Sequence, residues 1–238
     1  MKNILFIFIS FQFIFVHHID AQQAYSVIHI DSALLKNANA VIRDYQSTFQ
    51  VITSGTAIQK VKMIVTRLNG KADYDHLAVY YKDDYKIKNI AATIYDAYGN
   101  LIRKIKKEEI RDLSDADGVS IYLDSRLKYI DLTYGGYPYT IEYEYEVNIK
   151  NIFRYPIWDI QNYNTSVISS SYTLILPPNI DVKSKFYNLN TTPTTANVNG
   201  LKTTTWKATN ILAIEQENYT KEDFKLLAGG FFILMNLK

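Results

Sequence analysis

Cysteine is absent from all 238 residues of this sequence. Its absence excludes disulfide bonds, thiolate nucleophiles and sulfur ligands for a metal ion. Histidine is scarce: of the four copies, His29 and His76 lie beyond the first 21 residues, and neither belongs to a recognisable catalytic motif. No Gly-x-Ser-x-Gly elbow or His-Glu-x-x-His motif occurs. We therefore expect no active site based on cysteine, histidine or a metal ion.

An excess of charge of either sign is also missing. Lys and Arg number 26 and Asp and Glu number 24, which gives a formal net charge of +2. The densest basic run, residues 103–107, is followed at once by Glu108 and Glu109, so it is typical of a solvated surface. The charge pattern therefore predicts no nucleic-acid partner.

The N-terminus has the features of a secretory signal peptide in their usual order. Lys2 precedes an apolar stretch from Ile4 to Val16, and Ala21 lies where a signal peptidase would cut. About a dozen apolar residues are too few for a membrane-spanning helix, which needs about 20. We predict that the mature chain begins at Gln22, has no membrane span, and is exported to the periplasm, the cell surface or the extracellular space.

Tyrosine is unusually abundant, with 20 copies, and it accompanies many Ile, Val and Thr residues, a composition that favours β-sheet. From Thr140 to Lys150, apolar or aromatic residues alternate with polar ones without interruption, which predicts a strand with one buried face. Less regular alternation around residues 61–65, 90–94 and 172–176 predicts further strands, and Tyr98-Gly99-Asn100 predicts a hairpin turn. The predicted fold is all-β, an antiparallel β-sandwich-like domain with one or two short helices.

Signals for helices and loops are few. Ser32 is a candidate N-cap for a short helix through Ala38, and Thr220 is a candidate N-cap for another. Residues 188–199 predict a polar loop, and the apolar segment from Gly229 to Met235 predicts either a short final edge strand or the approach to a further domain. The predicted organisation is a signal peptide (1–21), a β-sandwich-like module (22–224) and an exit segment (225–238).

Several aspartates near residue 115 resemble part of an oxygen-rich calcium site. Asp115 and Asp117 match loop positions 3 and 5 of a calcium-binding hand, and Asp124 stands at position 12. Position 1 is then Leu113, which offers no side-chain oxygen, and position 12 would require a glutamate. Asp115, Asp117 and Asp124 are therefore weak calcium candidates, and we expect no cofactor.

Two other kinds of chemistry use residues that the sequence does contain. A pair of carboxylates could hydrolyse a glycosidic bond, but Glu142, Glu144 and Glu146 are more simply the solvent-facing side of a strand. Trp158 and Trp206, with exposed tyrosines, could form a stacking platform for sugars. Aromatic residues at alternating strand positions belong more often to the core, so the exposure of the two tryptophans decides this alternative.

Five segments occur in an order and spacing that resemble one protein family. They are residues 37–43, 90–102, 124–126, 137–145 and 155–158. Together they resemble domain-of-unknown-function family 3857 (DUF3857), which is found in exported proteins, notably of Bacteroidetes-like bacteria. The resemblance covers most of the chain from Asn37 to about Phe224. It implies a β-sandwich-like N-terminal module that is commonly followed by a transglutaminase-like domain of the papain-type Cys-His-Asp class.

The resemblance transfers no catalytic residue to this chain, because no cysteine is present to act as the nucleophile of such a domain. Within the matching segments, we expect Gly99 to permit the hairpin turn, Pro138 to fix the start of a strand and Trp158 to fill a core site. Asp124 and Arg126 are two residues apart, so in a strand they lie on one face about 7 Å from each other. We expect them to reach different partners or to form a polar anchor.

These observations favour a non-catalytic exported module that binds or positions a partner. The expected partner is a protein or a polymer of the cell envelope, or a downstream transglutaminase-like domain. A carbohydrate-binding module is the alternative within the class of binding proteins. A carboxylate-dependent hydrolase is the enzymatic alternative, and it predicts that neutralising an acid pair abolishes activity.

Overall fold

The computed structural model describes residues 25–115, 125–152, 154–216 and 226–235. These residues form 14 β-strands, one α-helical turn and two 3-10 turns. The strands are β1 (Ala40–Thr53), β2 (Thr56–Arg67), β3 (His76–Tyr81), β4 (Tyr85–Tyr95), β5 (Leu101–Lys104), β6 (Arg111–Ser114), β7 (Arg126–Asp131), β8 (Tyr139–Lys150), β9 (Trp158–Asp159), β10 (Thr165–Leu176), β11 (Asp181–Tyr187), β12 (Thr194–Val198), β13 (Leu201–Ile211) and β14 (Gly229–Met235). The helical turn α1 is Ser32–Leu35, and the 3-10 turns are Val27–His29 and Lys107–Glu109.

The strands form one large sheet and two small ones. The large sheet has eight strands in the order β12-β13-β10-β1-β2-β8-β4-β5, and the small sheets have the orders β11-β14-β9 and β3-β7-β6. The strand pairs are antiparallel except for β1 with β10, which run parallel. The predicted all-β, sandwich-like fold is confirmed.

The central strands of the large sheet are long because their apolar alternation is long. β2 and β8 pair along their whole lengths, from Thr56 opposite Lys150 to Arg67 opposite Tyr139. This register places Val61 of β2 beside residues of β8 on the face that packs into the core, and most residues on that face are buried or partly buried. Successive side chains of a strand point to opposite faces, so the polar residues between them form the other face.

One face of the large sheet packs against both small sheets. The main hydrophobic core joins Phe49 and Tyr172 of the large sheet with Val79 and Ile130 of one small sheet and Phe232 of the other. The ring of Tyr172 stacks on that of Phe232 with their centroids 4.2 Å apart. Aromatic pairs of this kind contribute beyond their buried area, so Tyr172 and Phe232 help to hold the small sheet against the large one.

The opposite face of the large sheet is only partly covered. Near the N-terminus, Ile30 and Leu34 pack on Val41 in a small second cluster. Ser166 Oγ of β10 donates a hydrogen bond of 2.6 Å to the carbonyl oxygen of Leu34, which fixes the helical turn to the sheet. On the rest of this face, in the described part of the chain, side chains such as Lys60 and Glu144 are exposed.

Two local predictions are wrong. The N-cap of α1 is Asp31 rather than Ser32, because the Asp31 carboxylate accepts a hydrogen bond of 2.9 Å from the Ala33 amide, and the helix already ends at Leu35. Residues 188–199 are not wholly loop, because β12 forms within them and pairs with β13 at the edge of the large sheet. Thr220 lies outside the described residues.

The segment from Gly229 to Met235 is a strand, β14, between β11 and β9. Its two glycines are required by close packing. A Cβ atom on Gly229 would clash with the Tyr187 hydroxyl, and one on Gly230 would clash with the Phe186 ring. β14 therefore begins where two aromatic rings of β11 cross its backbone, one on each face.

Candidate binding face

The open face of the large sheet presents a polar groove. We call the outer face the surface formed by Gln46, Thr48, Lys60, Lys62, Asn89, Glu142, Glu144 and Glu146. A groove of about 360 Å³ runs across most of it. These side chains come from β1, β2, β4 and β8, and they share a face because polar residues occupy alternate positions in each strand.

The charges of the outer face are paired unevenly. Lys60 Nζ lies 3.2 Å from Glu146 Oε2, and Lys62 Nζ lies 2.7 Å from Glu142 Oε1. The strand register places Lys62 directly opposite Glu144, so Lys62 reaches diagonally past it to Glu142. Glu144 consequently has no ion pair among the described residues and is exposed in the lining of the groove.

At one end of the outer face, the N-terminal segment is held against the sheet. The hydroxyl of Tyr25 donates a hydrogen bond of 2.6 Å to Glu142 Oε2, and its ring stacks on that of Tyr95 at 4.0 Å. Arg43 donates to the carbonyl oxygens of Tyr25 and Ser26, each at 2.9 Å. This cluster fixes Glu142 in place.

Glu142 is held in its charged form. Burial raises the pKa of this carboxyl, but the hydrogen bonds from Lys62 and Tyr25 outweigh it, so the pKa lies below its ordinary value. Burial and the neighbouring Glu142 in turn raise the pKa of Tyr25, which keeps the phenol protonated as a donor. The cluster is therefore suited to fixed charge and hydrogen bonding rather than to proton transfer near neutral pH.

Replacing Glu142 with glutamine is expected to weaken the pH dependence of stability. Because the pKa of Glu142 is lowered by folding, its contribution is complete above the unfolded value of about 4.3 and is lost as the pH falls through the folded value. We expect Glu142→Gln to lower the free energy of unfolding by about 1–2 kcal/mol at pH 7 and by less at pH 3. Urea denaturation at both pH values measures the difference.

The matched control for this experiment is Glu144→Gln. It removes a carboxylate from the same strand and the same face, but one without an ion pair among the described residues. The difference in stability between this variant and the wild type should be near zero at both pH values. Equal effects of the two substitutions would contradict the special role assigned to Glu142.

Three residues singled out from the sequence lie in separate parts of the fold. Gly99 has a φ of 86° in the β4–β5 turn, where its amide donates to the Asp96 carbonyl oxygen at 3.0 Å. Pro138 follows a cis peptide bond just before β8. Trp158 is fully buried in β9. The structure does not bring them together, so they form no common site.

Arg126 has a partner that the sequence did not indicate. Its Nε donates to Asp112 Oδ1 at 2.9 Å and to the Tyr81 hydroxyl at 3.1 Å, while Lys128 Nζ lies 2.8 Å from Asp112 Oδ2. The hydrogen bonds from Lys128 and Tyr81 lower the pKa of Asp112 to about 2. These residues cross-link the exposed strands of the sheet β3-β7-β6. The other predicted member of the polar anchor, Asp124, lies outside the described residues.

The calcium candidates are only partly within the described residues. Asp115 is partly exposed, and its amide donates to the Ser125 carbonyl oxygen at 2.9 Å. Asp117 and Asp124 lie outside the described part of the chain. Within that part, no group of three or more His, Asp or Glu side chains could hold a metal ion.

A Ser-x-x-Lys spacing at Ser125 and Lys128 is a further motif to weigh. In enzymes with this motif, the lysine must lie next to the serine hydroxyl that it activates. Here Lys128 lies in β7, where positions three apart point to opposite faces, and its amino group is paired with Asp112. The spacing therefore gives no serine–lysine pair.

Neither tryptophan is placed to bind a sugar. Trp158 is 0% exposed and Trp206 is 6% exposed, and both belong to the core. A stacking platform requires an indole face that is open to solvent.

Neither described histidine contacts a serine or threonine hydroxyl that could act as a nucleophile. His29 lies in an exposed 3-10 turn, and His76 contacts Asp75 and stacks on Tyr129.

Sequence reasoning missed the buried arginine Arg67, which is 2% exposed at the end of β2. Its guanidinium donates to the hydroxyl of Tyr139 at 2.6 Å and to the carbonyl oxygen of Ala72. The rings of Tyr137 and Tyr139 lie 5.6 and 5.5 Å from its central carbon. The alternation of β2, which places Arg67 on the same face as Val65 and Met63, was the available signal.

A protein-family model matches residues 53–215, and it is described as a domain of unknown function with a solved structure, DUF3857. The chain belongs to the DUF3857 family. The family resemblance predicted from the sequence is thereby confirmed. The matched region begins at the end of β1 and extends past β13, so it includes most of the outer face of this DUF3857 domain.

One longer protein of known structure has the same fold in part of its chain. A crystal structure described as "a putative protease from Parabacteroides distasonis" matches with a TM-score of 0.68 and 16% identity, over 82% of this chain and 40% of that one. Legionella pneumophila aminopeptidase A matches with a TM-score of 0.39 and 12% identity, over 87% of this chain and 22% of that one. An M1 zinc metallopeptidase from Deinococcus radiodurans matches with a TM-score of 0.39 and 11% identity, over 81% and 42%. The DUF3857 chain thus spans less than half the length of each of these proteins.

No curated protein matches the sequence. In the part of the chain that the structure describes, no helix has both the length and the apolar character needed to cross a membrane.

Proposed function

We propose that this DUF3857 protein is a non-catalytic, exported module whose outer face binds or positions a partner protein, partner domain or envelope polymer. The observation that carries the proposal is the open, polar groove across the large sheet, which is lined by Glu144, an exposed carboxylate without an ion pair among the described residues. Family membership and the likeness to one part of a longer protein also favour a modular role.

The outer face is suited to specific binding because its side chains stand on a rigid sheet. Lys60 and Lys62 are held by ion pairs to Glu146 and Glu142, so little side-chain freedom is lost on binding. Charges of both signs at fixed positions give specificity and fast association more than they give affinity. A partner with a cation opposite Glu144 would complete the charge pattern.

The non-catalytic part of the proposal has its own support. Glu142 is the most strongly engaged carboxylate of the outer face, and its pKa is lowered rather than raised toward neutral pH. A general acid of a glycosidase requires a raised pKa and access to the leaving-group oxygen. We expect the purified protein to release no product from peptide or glycan substrates. Turnover that is lost in Glu142→Gln would contradict the proposal.

Charge reversal on the outer face tests the binding role. Tagged wild-type protein and the Glu144→Lys variant are expressed in the source cells, cross-linked and purified. We expect one or more partners to be recovered with the wild type and to fall at least tenfold with Glu144→Lys. The control Lys107→Glu reverses the charge of an exposed residue in the 3-10 turn Lys107–Glu109, outside the outer face, and should leave recovery unchanged. N-terminal sequencing of the protein from the periplasmic or secreted fraction tests export, with Gln22 as the expected first residue.

A further inference from the structure

One edge of the small sheet β11-β14-β9 is largely open. β9 pairs with β14 only at Gly229 and Gly230, whereas β11 pairs with β14 over its full length, from Gly229 to Met235. Within the described residues, the backbone of residues 231–235 therefore has a neighbouring strand on one side alone. Such an edge carries a row of N–H and C=O groups that can accept another strand.

An apolar groove lies along this open edge. Ile152 and residues 154–157 precede β9 but do not continue its pairing with β14, and Pro156 has no N–H to contribute. The space between them and β14 has a volume of about 410 Å³. Its lining is mainly apolar, with Ile152, Tyr155, Ile157, Phe231, Phe232 and Ile233 and one cation, Arg154. Ile157 and Ile233 are 57% and 54% exposed, so together they form an accessible apolar surface beside the groove.

The surroundings of the groove are basic. The register places Lys183 opposite Ile233 and Lys185 opposite Phe231, and directly opposite residues share a face of the sheet. Neither lysine, nor Arg154, has an ion pair among the described residues. Two acids lie on this face: Asp159 is at the far end beside the Tyr187 hydroxyl, and Asp181, at the other end of β11, is paired with Lys202 at 3.6 Å. The open edge therefore presents unpaired backbone groups, an apolar groove and three unpaired cations together.

We propose that an extended, acidic segment of a partner protein adds as a strand to the open edge of β14 and inserts an apolar side chain into the groove. Strand addition uses the backbone groups for affinity and the groove for specificity, since every second side chain of the added strand faces it. A carboxylate next to the apolar side chain would pair with Arg154 or Lys185. This surface is distinct from the outer face and does not depend on the function proposed for that face.

The test uses defined peptides and the purified protein. The probe is an acetylated and amidated peptide of about nine residues, a typical upper strand length, that alternates valine and threonine around a central glutamate. We expect it to bind with a dissociation constant on the order of 10–100 µM by calorimetry. The same peptide with lysine at the centre should bind at least tenfold more weakly. Binding should also slow hydrogen exchange at alternate amides of β14, because an added strand covers them.

Variants and modified peptides locate the site. Ile233→Glu should weaken binding at least tenfold. Because Ile233 is exposed, we expect this variant to remain folded, and its thermal melting curve is the control. The Arg154→Glu, Lys185→Glu variant should reverse the preference between the glutamate and lysine peptides. Methylating the peptide nitrogens along one edge should abolish binding, while methylating those along the other edge should not. This last comparison requires no change in the protein.

Three outcomes would overturn the inference. The first is that neither peptide binds at millimolar concentration. The second is binding that is insensitive to Ile233→Glu and to the position of the methyl groups, which would place the peptide elsewhere. The third is a peptide-free dimer that dissociates in Ile233→Glu, which would make a second copy the occupant of the edge. None of these outcomes changes the partner recovery expected from Glu144→Lys, so the two proposals can fail separately.

Discussion

Replacing Trp158 with alanine is expected to lower the free energy of unfolding by about 3–5 kcal/mol, as for other fully buried aromatic residues. The indole is 0% exposed, and its Nε1 donates a hydrogen bond of 2.9 Å to Ser170 Oγ. The rings of Tyr172 and Phe186 lie 6.4 and 6.2 Å from it, so its removal leaves a cavity between the large sheet and β9. Urea denaturation followed by circular dichroism measures the loss without relying on tryptophan fluorescence.

Two controls separate the packing of Trp158 from its hydrogen bond. Ser170→Ala leaves the indole N–H buried without its partner, and we expect it to cost about 1–3 kcal/mol. Tyr98→Ala truncates a large side chain that is 73% exposed, so it should change stability by less than about 0.5 kcal/mol. A loss below about 1 kcal/mol for Trp158→Ala would contradict the assignment of this residue to the centre of the core.

Truncating Arg67 to alanine is expected to cost about 2–4 kcal/mol, which is a large effect for a charged residue. The substitution removes the donor to the buried Ala72 carbonyl oxygen and the contacts with the rings of Tyr137 and Tyr139. It also relieves the cost of burying a guanidinium that has no carboxylate partner among its hydrogen bonds. The loss of packing and of satisfied acceptors outweighs that gain.

Arg67→Met is the matched control, because it keeps most of the side-chain volume and removes only the charge and the donors. We expect it to recover about half of the loss that Arg67→Ala causes in thermal or urea denaturation. If methionine were as destabilising as alanine, hydrogen bonding rather than packing would account for the role of Arg67. If alanine itself were neutral, the buried position of Arg67 would be wrong.

The fold class could be predicted because its signals are local. The alternation from Thr140 to Lys150 corresponds to β8, and the Tyr98-Gly99-Asn100 turn joins β4 to β5. Each signal depends on residues within about ten positions of one another. The parallel pairing of β1 with β10 joins Ala40 to Thr165, and nothing in either segment specifies the other. The sequence therefore predicted most of the strands, but it could not predict which strands are neighbours in the sheet.

The candidate binding face was predictable in part. Glu142, Glu144 and Glu146 were recognisable as the polar side of one strand, but their partners depend on register and on distant chain segments. Tyr25, which fixes Glu142, is 117 positions away from it. The burial of Arg67 was not predicted for a similar reason. An arginine at the end of a strand is ordinarily exposed, and Arg67 is buried because a loop folds over it.

The parallel contact between β1 and β10 has a consequence for the order in which the chain can fold. β1 and β2 form a hairpin joined by a short turn, so they can pair as soon as both have been synthesised. The other edge of β1 can pair only after β10 (Thr165–Leu176) has been synthesised, more than a hundred residues later. Until then this edge of β1 is long and unpaired. Its apolar residues Phe49 and Val51 are then uncovered as well. The early chain is thus most prone to aggregation along β1, and a chaperone that binds extended segments would protect it there.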